Sequence, residues 1–129
     1  MTNSLIIDAT GDSIFLTLII GKNIYTCSHE NSKINFEKLM ILISDFLKLN
    51  KKSLDIIDII YVNRGPGSFA GIRNSLATIK ALFLAKKIDY YCFSFEDFKE
   101  SKAFKYVDVP KLCEQYKIKK NLINPIYLS

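Results

Sequence analysis

The segment that most constrains what this chain can fold into is Arg64-Gly65-Pro66-Gly67-Ser68-Phe69-Ala70-Gly71-Ile72-Arg73. It follows an almost wholly apolar run, Asp55-Ile56-Ile57-Asp58-Ile59-Ile60-Tyr61-Val62, and precedes a long amphipathic stretch that begins near Ile72. A strand that stops at a glycine-rich loop and restarts as a helix is an α/β device. Glycine permits positive φ and close backbone approach, and a helix N-terminus favours anions. The loop is not a generic phosphate cradle, however. It lacks the Gly-Lys-Ser/Thr ending of a P-loop, and its glycines at 65, 67 and 71 miss the dinucleotide-binding spacing by one residue. Ser68 stands where a hydroxyl would cap the following helix, without the Gly-x-Ser-x-Gly elbow or a histidine base of a hydrolase nucleophile.

The rest of the chain supplies the layers around that loop. Leu5 to Asp8 reads as a first strand, Ile14 to Ile20 as a second, Gly21-Lys22-Asn23 as a tight turn and Ile24 to Ser28 as a third strand. Phe36 to Asn50 is expected to be helical, with Phe36, Met40, Ile43 and Leu47 at a 3.6-residue period and Leu39 and Phe46 beside them. Ile56 to Val62 is the fourth strand, apolar enough to be covered on both faces. Gly71 to Lys87 is the second long helix, with Ile72, Leu76, Ile79 and Phe83 on one face. Tyr90 to Phe93 is a fifth strand leading to a short helix from Phe95 to Ala103, and Lys111 to Tyr116 is a further helical stretch. The order β-β-β-α-β-α-β-α is the half-domain topology of ribonuclease H-like and actin-like (ASKHA) proteins: α/β, with a mixed five-stranded sheet. The expected organisation is an actin-like lobe over residues 1–104 and a short C-terminal tail, 105–129, in place of a second lobe.

Composition narrows the function classes. A chain of 129 residues supports one core, burying about 65–70% of its unfolded surface. Cys27, Cys92 and Cys113 are widely spaced with no CxxC pair, and His29 is the single histidine. They read as reduced thiols of a cytoplasmic protein with no metal site and no cofactor. Met1-Thr2-Asn3-Ser4 lacks the basic residues of a secretory signal, and the run Ile14 to Ile20 falls far short of the ~20 residues of a membrane span. The net charge is +5, and the 31 residues from Lys99 hold seven lysines against Glu100, Asp108 and Glu114. Two alternatives follow. Asp8, ending the first strand, could serve a small nucleotide-binding ATPase-like enzyme together with the glycine loop. The tail lysines Lys117, Lys119 and Lys120 could make a basic RNA-binding module. Neither finds the partner groups it needs: no second carboxylate or histidine base stands beside Asp8 in the sequence, and the tail has no recognisable RNA-binding motif. The two long helices say more. Each carries more apolar surface than one sheet face absorbs, and Ala77, Ala81 and Ala85 recur at four-residue spacing that permits close helix approach.

Gly65-Pro66-Gly67-Ser68-Phe69-Ala70-Gly71-Ile72-Arg73, followed by Ser75-Leu76-Ala77-Thr78-Ile79-Lys80-Ala81-Leu82, resembles the TsaB (YeaZ) signature, GPGSFTGLR followed by a helix with LATxKGL. Ile6-Ile7-Asp8-Ala9-Thr10 is similar to that family's IDTS opening, Glu37-Lys38-Leu39-Met40 with Ile43 to its first helix, and Pro125-Ile126-Tyr127-Leu128 to its PxYL ending. The resemblance implies a non-catalytic subunit of the tRNA threonylcarbamoyl transferase. In that family the first two helices pair with TsaD, the catalytic paralogue that modifies the adenosine beside the anticodon of ANN-decoding tRNAs. TsaE, an ATPase, joins the pair, and members also form homodimers through the same helices. Carried over by position, the partner surface would comprise Phe36, Leu39, Met40, Ile43, Phe46 and Leu47 from the first helix. Arg73, Leu76, Ala77, Lys80 and Leu84 would come from the second. The glycine loop would contribute Gly65, Pro66, Gly67, Ser68, Phe69, Gly71 and Arg73, with no catalytic residue, no membrane contact, and tRNA met through the complex. The chain departs from the pattern at Ala70, where Thr is usual, at Asn35-Phe36, where many members carry His-Ser, and in its strongly shortened second half.

Overall fold

The computed structural model describes residues 2–99 and 105–127, with the side chain of Phe36 outside that set. Five strands form one mixed sheet: β1 (Ser4–Asp8), β2 (Ser13–Ile20), β3 (Asn23–Glu30), β4 (Ile59–Asn63) and β5 (Asp89–Phe93), in the order β3-β2-β1-β4-β5. β1 pairs antiparallel with β2, and β2 with β3, as an opening meander. β4 joins β1 in parallel and β5 joins β4 in parallel. The helical connections into β4 and β5 contain α1 (Lys33–Glu37), α2 (Leu39–Leu49) and α3 (Phe69–Lys86), and α4 (Val109–Gln115) follows the sheet. This is the α/β half-domain of the actin-like topology.

Alternation along the strands sorts the core into two layers. Leu5, Ile7, Leu16, Leu18, Ile60 and Val62 face α2 and α3, where they meet Leu39, Ile43, Phe46, Leu47, Ile72, Leu76 and Ile79. Ile6, Tyr61 and Phe93 face the other way and pack with Phe98, Val109, Leu112 and Cys113. β1 and β4 are therefore apolar on both faces, as their composition predicts.

Three boundaries differ from the sequence reading by more than two residues. The first helix begins at Lys33 and is interrupted for one residue at Lys38, which leaves helical geometry (φ −102°, ψ 12°). The Lys38 amide still donates to the Ile34 carbonyl, and its carbonyl accepts from Leu42, so the hydrogen-bond ladder continues across the break. β4 starts at Ile59 rather than Ile56, because Leu54–Ile56 forms a 3-10 turn. Asn3 holds that turn: its side chain donates to the Ile56 carbonyl at 2.8 Å, and its amide donates to Asp58 Oδ2 at 2.8 Å. Phe95–Phe98 is a 3-10 turn, and the rest of the helix expected up to Ala103 falls largely on 100–104, outside the described residues.

Candidate functional site

The glycine loop leaves the C-terminal end of β4 and is clasped by backbone from two distant segments. The Ser68 amide donates to the Thr10 carbonyl at 2.8 Å, and the Ile126 amide donates to the Arg64 carbonyl at 2.7 Å. Gly65 has φ +110°, and a Cβ there would collide with the Ile126 carbonyl; a Cβ on Gly67 would strike the Thr10 carbonyl. Glycine is needed at both positions because another stretch of backbone occupies the space. The Gly65–Pro66 peptide is cis. The Gly65 amide donates to Asn63 Oδ1 at 3.0 Å, and the Gly71 amide to Ser68 Oγ at 3.2 Å, which is the helix cap the sequence predicts. With the amides of Gly65, Ser68 and Gly71 donating inside the chain, the loop does not present the unbroken row of free N–H groups that an anion cradle requires.

Asp8 sits beside this loop at the end of β1, only 5% exposed. Thr10 donates to its Oδ1 from both the amide, at 2.9 Å, and the hydroxyl, at 2.7 Å. Asn63 Nδ2 and the Tyr106 hydroxyl donate to its Oδ2 at 3.0 and 2.6 Å. Four donors saturate the carboxylate's acceptor sites. Burial, and next the hydrogen bond to Asp8 and its charge, push the Tyr106 phenol well above the ordinary tyrosine value. Arg64 ties the loop sideways. Its Nη2 pairs with Asp97 Oδ1 at 2.8 Å, its Nη1 donates to the Asn124 carbonyl at 2.9 Å, and its amide donates to the Phe93 carbonyl.

The cysteines offer no ready thiolate. Burial pushes the Cys92 and Cys113 thiols up to about 12 and raises Cys27 as well, so all three stay protonated at neutral pH. Among the described residues no three His, Cys, Asp or Glu side chains gather as a metal site, and no helix is long and apolar enough to cross a membrane.

The partner-face residues divide sharply. Leu39, Ile43, Phe46, Leu47 and Leu76 are buried in this chain's own core. Met40 is half-buried, while Arg73, Ala77, Lys80 and Leu84 are exposed. What the helical layer turns outward is a groove of about 270 Å³ lined by Glu37, Leu39, Met40, Asn74, Ala77, Thr78 and Ala81. Glu37 and Asn74 also line an adjoining concavity of about 550 Å³ that reaches Phe69, Ala70 and Arg73. Phe69 is exposed, and its ring lies 4.7 Å from that of Tyr127. Sequence reasoning brought Asp8 and the glycine loop forward but missed Asn63, Tyr106, Asp97 and Asn124 as their partners. These bonds span up to 98 positions, and no local pattern marks them.

No protein-family model matches the chain. Over 71 residues it is 35% identical to the tRNA threonylcarbamoyladenosine biosynthesis protein TsaB of Buchnera aphidicola subsp. Baizongia pistaciae, covering 48% of this chain and 32% of that protein. The fold matches YeaZ from Pseudomonas aeruginosa with a TM-score of 0.67 at 21% identity, over 73% of this chain and 44% of YeaZ. It also matches RuvC of T. thermophilus, solved with a Holliday junction substrate, with a TM-score of 0.52 at 10% identity, over 78% of this chain and 69% of RuvC. The two structural likenesses speak for the fold. The chain spans about a third of its curated relative and under half of YeaZ.

Proposed function

We propose that this chain, a partial-length relative of the TsaB/YeaZ proteins, acts in tRNA threonylcarbamoyladenosine biosynthesis as a non-catalytic scaffold that binds and activates a TsaD-like catalytic subunit in the cytoplasm. The observation that carries this reading is the 35% identity to a TsaB over 71 residues. The outer face of the helical layer gives it a physical basis. A groove between α2 and α3 floored by small residues admits a partner helix, and Ile34 on α1 with Phe69 and Leu84 on α3 are exposed apolar side chains of the same helical layer. A standard interface buries about 1,600 Å² in total, within reach of two helices of this length. Docking there would favour the partner's active arrangement by binding that state more tightly. A homodimer of this chain would use the same face, and a TsaE-like ATPase and tRNA would join through the complex. In this reading residues 1–104 serve as the actin-like lobe and 105–129 as a tail that follows it. The reading assigns no catalysis to Asp8, whose oxygens are taken up by Thr10, Asn63 and Tyr106.

The test is size-exclusion chromatography with light scattering on the chain alone and mixed with its TsaD-like protein. A one-to-one complex is expected, with threonylcarbamoyladenosine formed only in the mixture. A chain that elutes alone in the mixture overturns the proposal.

A further inference from the structure

The sheet face opposite α1–α3 is only partly covered by α4, and beside that helix lies a cavity of about 680 Å³. One wall is aromatic. Tyr61 and Tyr91 are register partners on β4 and β5, with ring centroids 5.3 Å apart and 12° between the planes. Ile59 continues this wall, and Ser4 adds a hydroxyl. Tyr61 is largely buried, and its hydroxyl makes no hydrogen bond among the described residues.

The opposite wall is mixed, with Pro110, Cys113 and Ile118 beside charged side chains. α4 and the turn after it contribute Lys111, Glu114 and Lys117. Lys111 and Glu114, three residues apart, lie along one side of α4, and Lys117 follows in the turn. All three are exposed, and neither lysine has an ion-pair partner among the described residues. Lys117 also holds φ +55°, a left-handed helix-end position that glycine or asparagine usually fills.

We propose that this cavity is a binding site for a nucleoside monophosphate. Its volume falls within the range of ~300–1,000 Å³ usual for small-molecule sites. The tyrosine wall suits a planar base, which gains dispersion energy against it. Two exposed lysines without an ion-pair partner among the described residues suit a phosphate through charge-assisted hydrogen bonds. Glu114 and Ser4 suit the sugar hydroxyls. A wholly apolar ligand would strip water from Lys111, Glu114 and Lys117 without repaying it, and inorganic phosphate would leave the aromatic wall unused. The site uses neither the outer helix face nor Asp8, so it stands apart from the scaffold reading.

The probe is AMP, titrated into the intact chain by isothermal calorimetry. Saturable one-to-one binding is expected, weakened at least about tenfold by Lys111→Glu and by Lys117→Glu. The charge-matched control Lys48→Glu, on α2, should leave affinity unchanged, and circular dichroism should show all three variants folded. Absence of saturable binding at millimolar AMP overturns the proposal. So does equal weakening by Lys48→Glu, which would reduce the effect to overall charge. Inorganic phosphate competing as well as AMP also overturns it, because the base would then contribute nothing.

Discussion

At Gly67 a methyl group has no free space, because the Thr10 carbonyl lies against the Cα. Gly67→Ala should therefore force the loop off β1 and cost about 2 kcal/mol or more, read as a lower urea midpoint with an unchanged slope. Tyr106 makes a subtler case. Its phenol is raised in the folded chain by burial and by Asp8, so the folded state keeps a proton that the unfolded chain releases near pH 10. Stability from this difference is fully present below about pH 10 and is lost as the pH climbs above it. Tyr106→Phe should lower stability at neutral pH by about 1–3 kcal/mol, since Asp8 loses a donor, yet flatten the alkaline fall. Tyr61, also raised by burial, keeps a remainder of that fall. Urea titrations of both proteins across pH 8–11 check this, and superimposable alkaline profiles would exclude the assignment.

At the scale of elements, the helical layer separates what periodicity reveals from what it hides. A 3.6-residue stripe locates α2 and α3, and the strands follow from alternation and from the double-sided apolarity of β4. The same stripe cannot say which neighbour it meets. Leu39, Ile43, Phe46, Leu47 and Leu76 meet this chain's own sheet, and the outward groove is floored by Ala77 and Ala81, two members of the four-residue alanine stripe, with Thr78 and Asn74, which no periodicity marks. The Asp8 cluster was equally illegible, since Asn63 and Tyr106 reach it from 55 and 98 positions away. The ends of elements failed where a distant side chain decides them, as Asn3 does for the start of β4. A paired substitution follows from this division. Leu84 is 68% exposed, so Leu84→Asp should shift stability by no more than about 0.5 kcal/mol while weakening capture of the TsaD-like partner. Leu76→Asp buries a carboxylate in the core and should unfold the chain. Thermal melts with a pull-down separate the two, and a Leu84→Asp chain that still binds at full strength would move the interface elsewhere.

For the whole molecule, the question is whether the residues after 104 are an appendage or part of the folding unit. They reach the sheet at widely separated points. Tyr106 closes over Asp8 at the C-terminal end of β1, and α4 supplies Val109, Leu112 and Cys113 to the second core layer. Lys120 bridges to Tyr91 on the edge strand β5, and the Asn121 side chain bonds both the Tyr90 amide, at 2.9 Å, and Asp89, at 3.0 Å. Ile126 then clasps the glycine loop at Arg64 and Gly65, as Thr10 does at Gly67 and Ser68. Contacts spread over both ends and one edge of a sheet couple its parts into one cooperative transition. Ending the chain at Lys119 removes the β5 edge contacts and the Arg64 clasp together. The shortened protein should lose at least about 2 kcal/mol. Its amides in β5 and at Gly65 and Ser68 should exchange faster with solvent than those of β1 and β2, which keep their partners. Hydrogen exchange on both chains reads this directly. Equal protection of β5 and the loop in the two would mean that the last ten residues rest on the sheet without stabilising it, and that Gly65 is glycine for its φ alone.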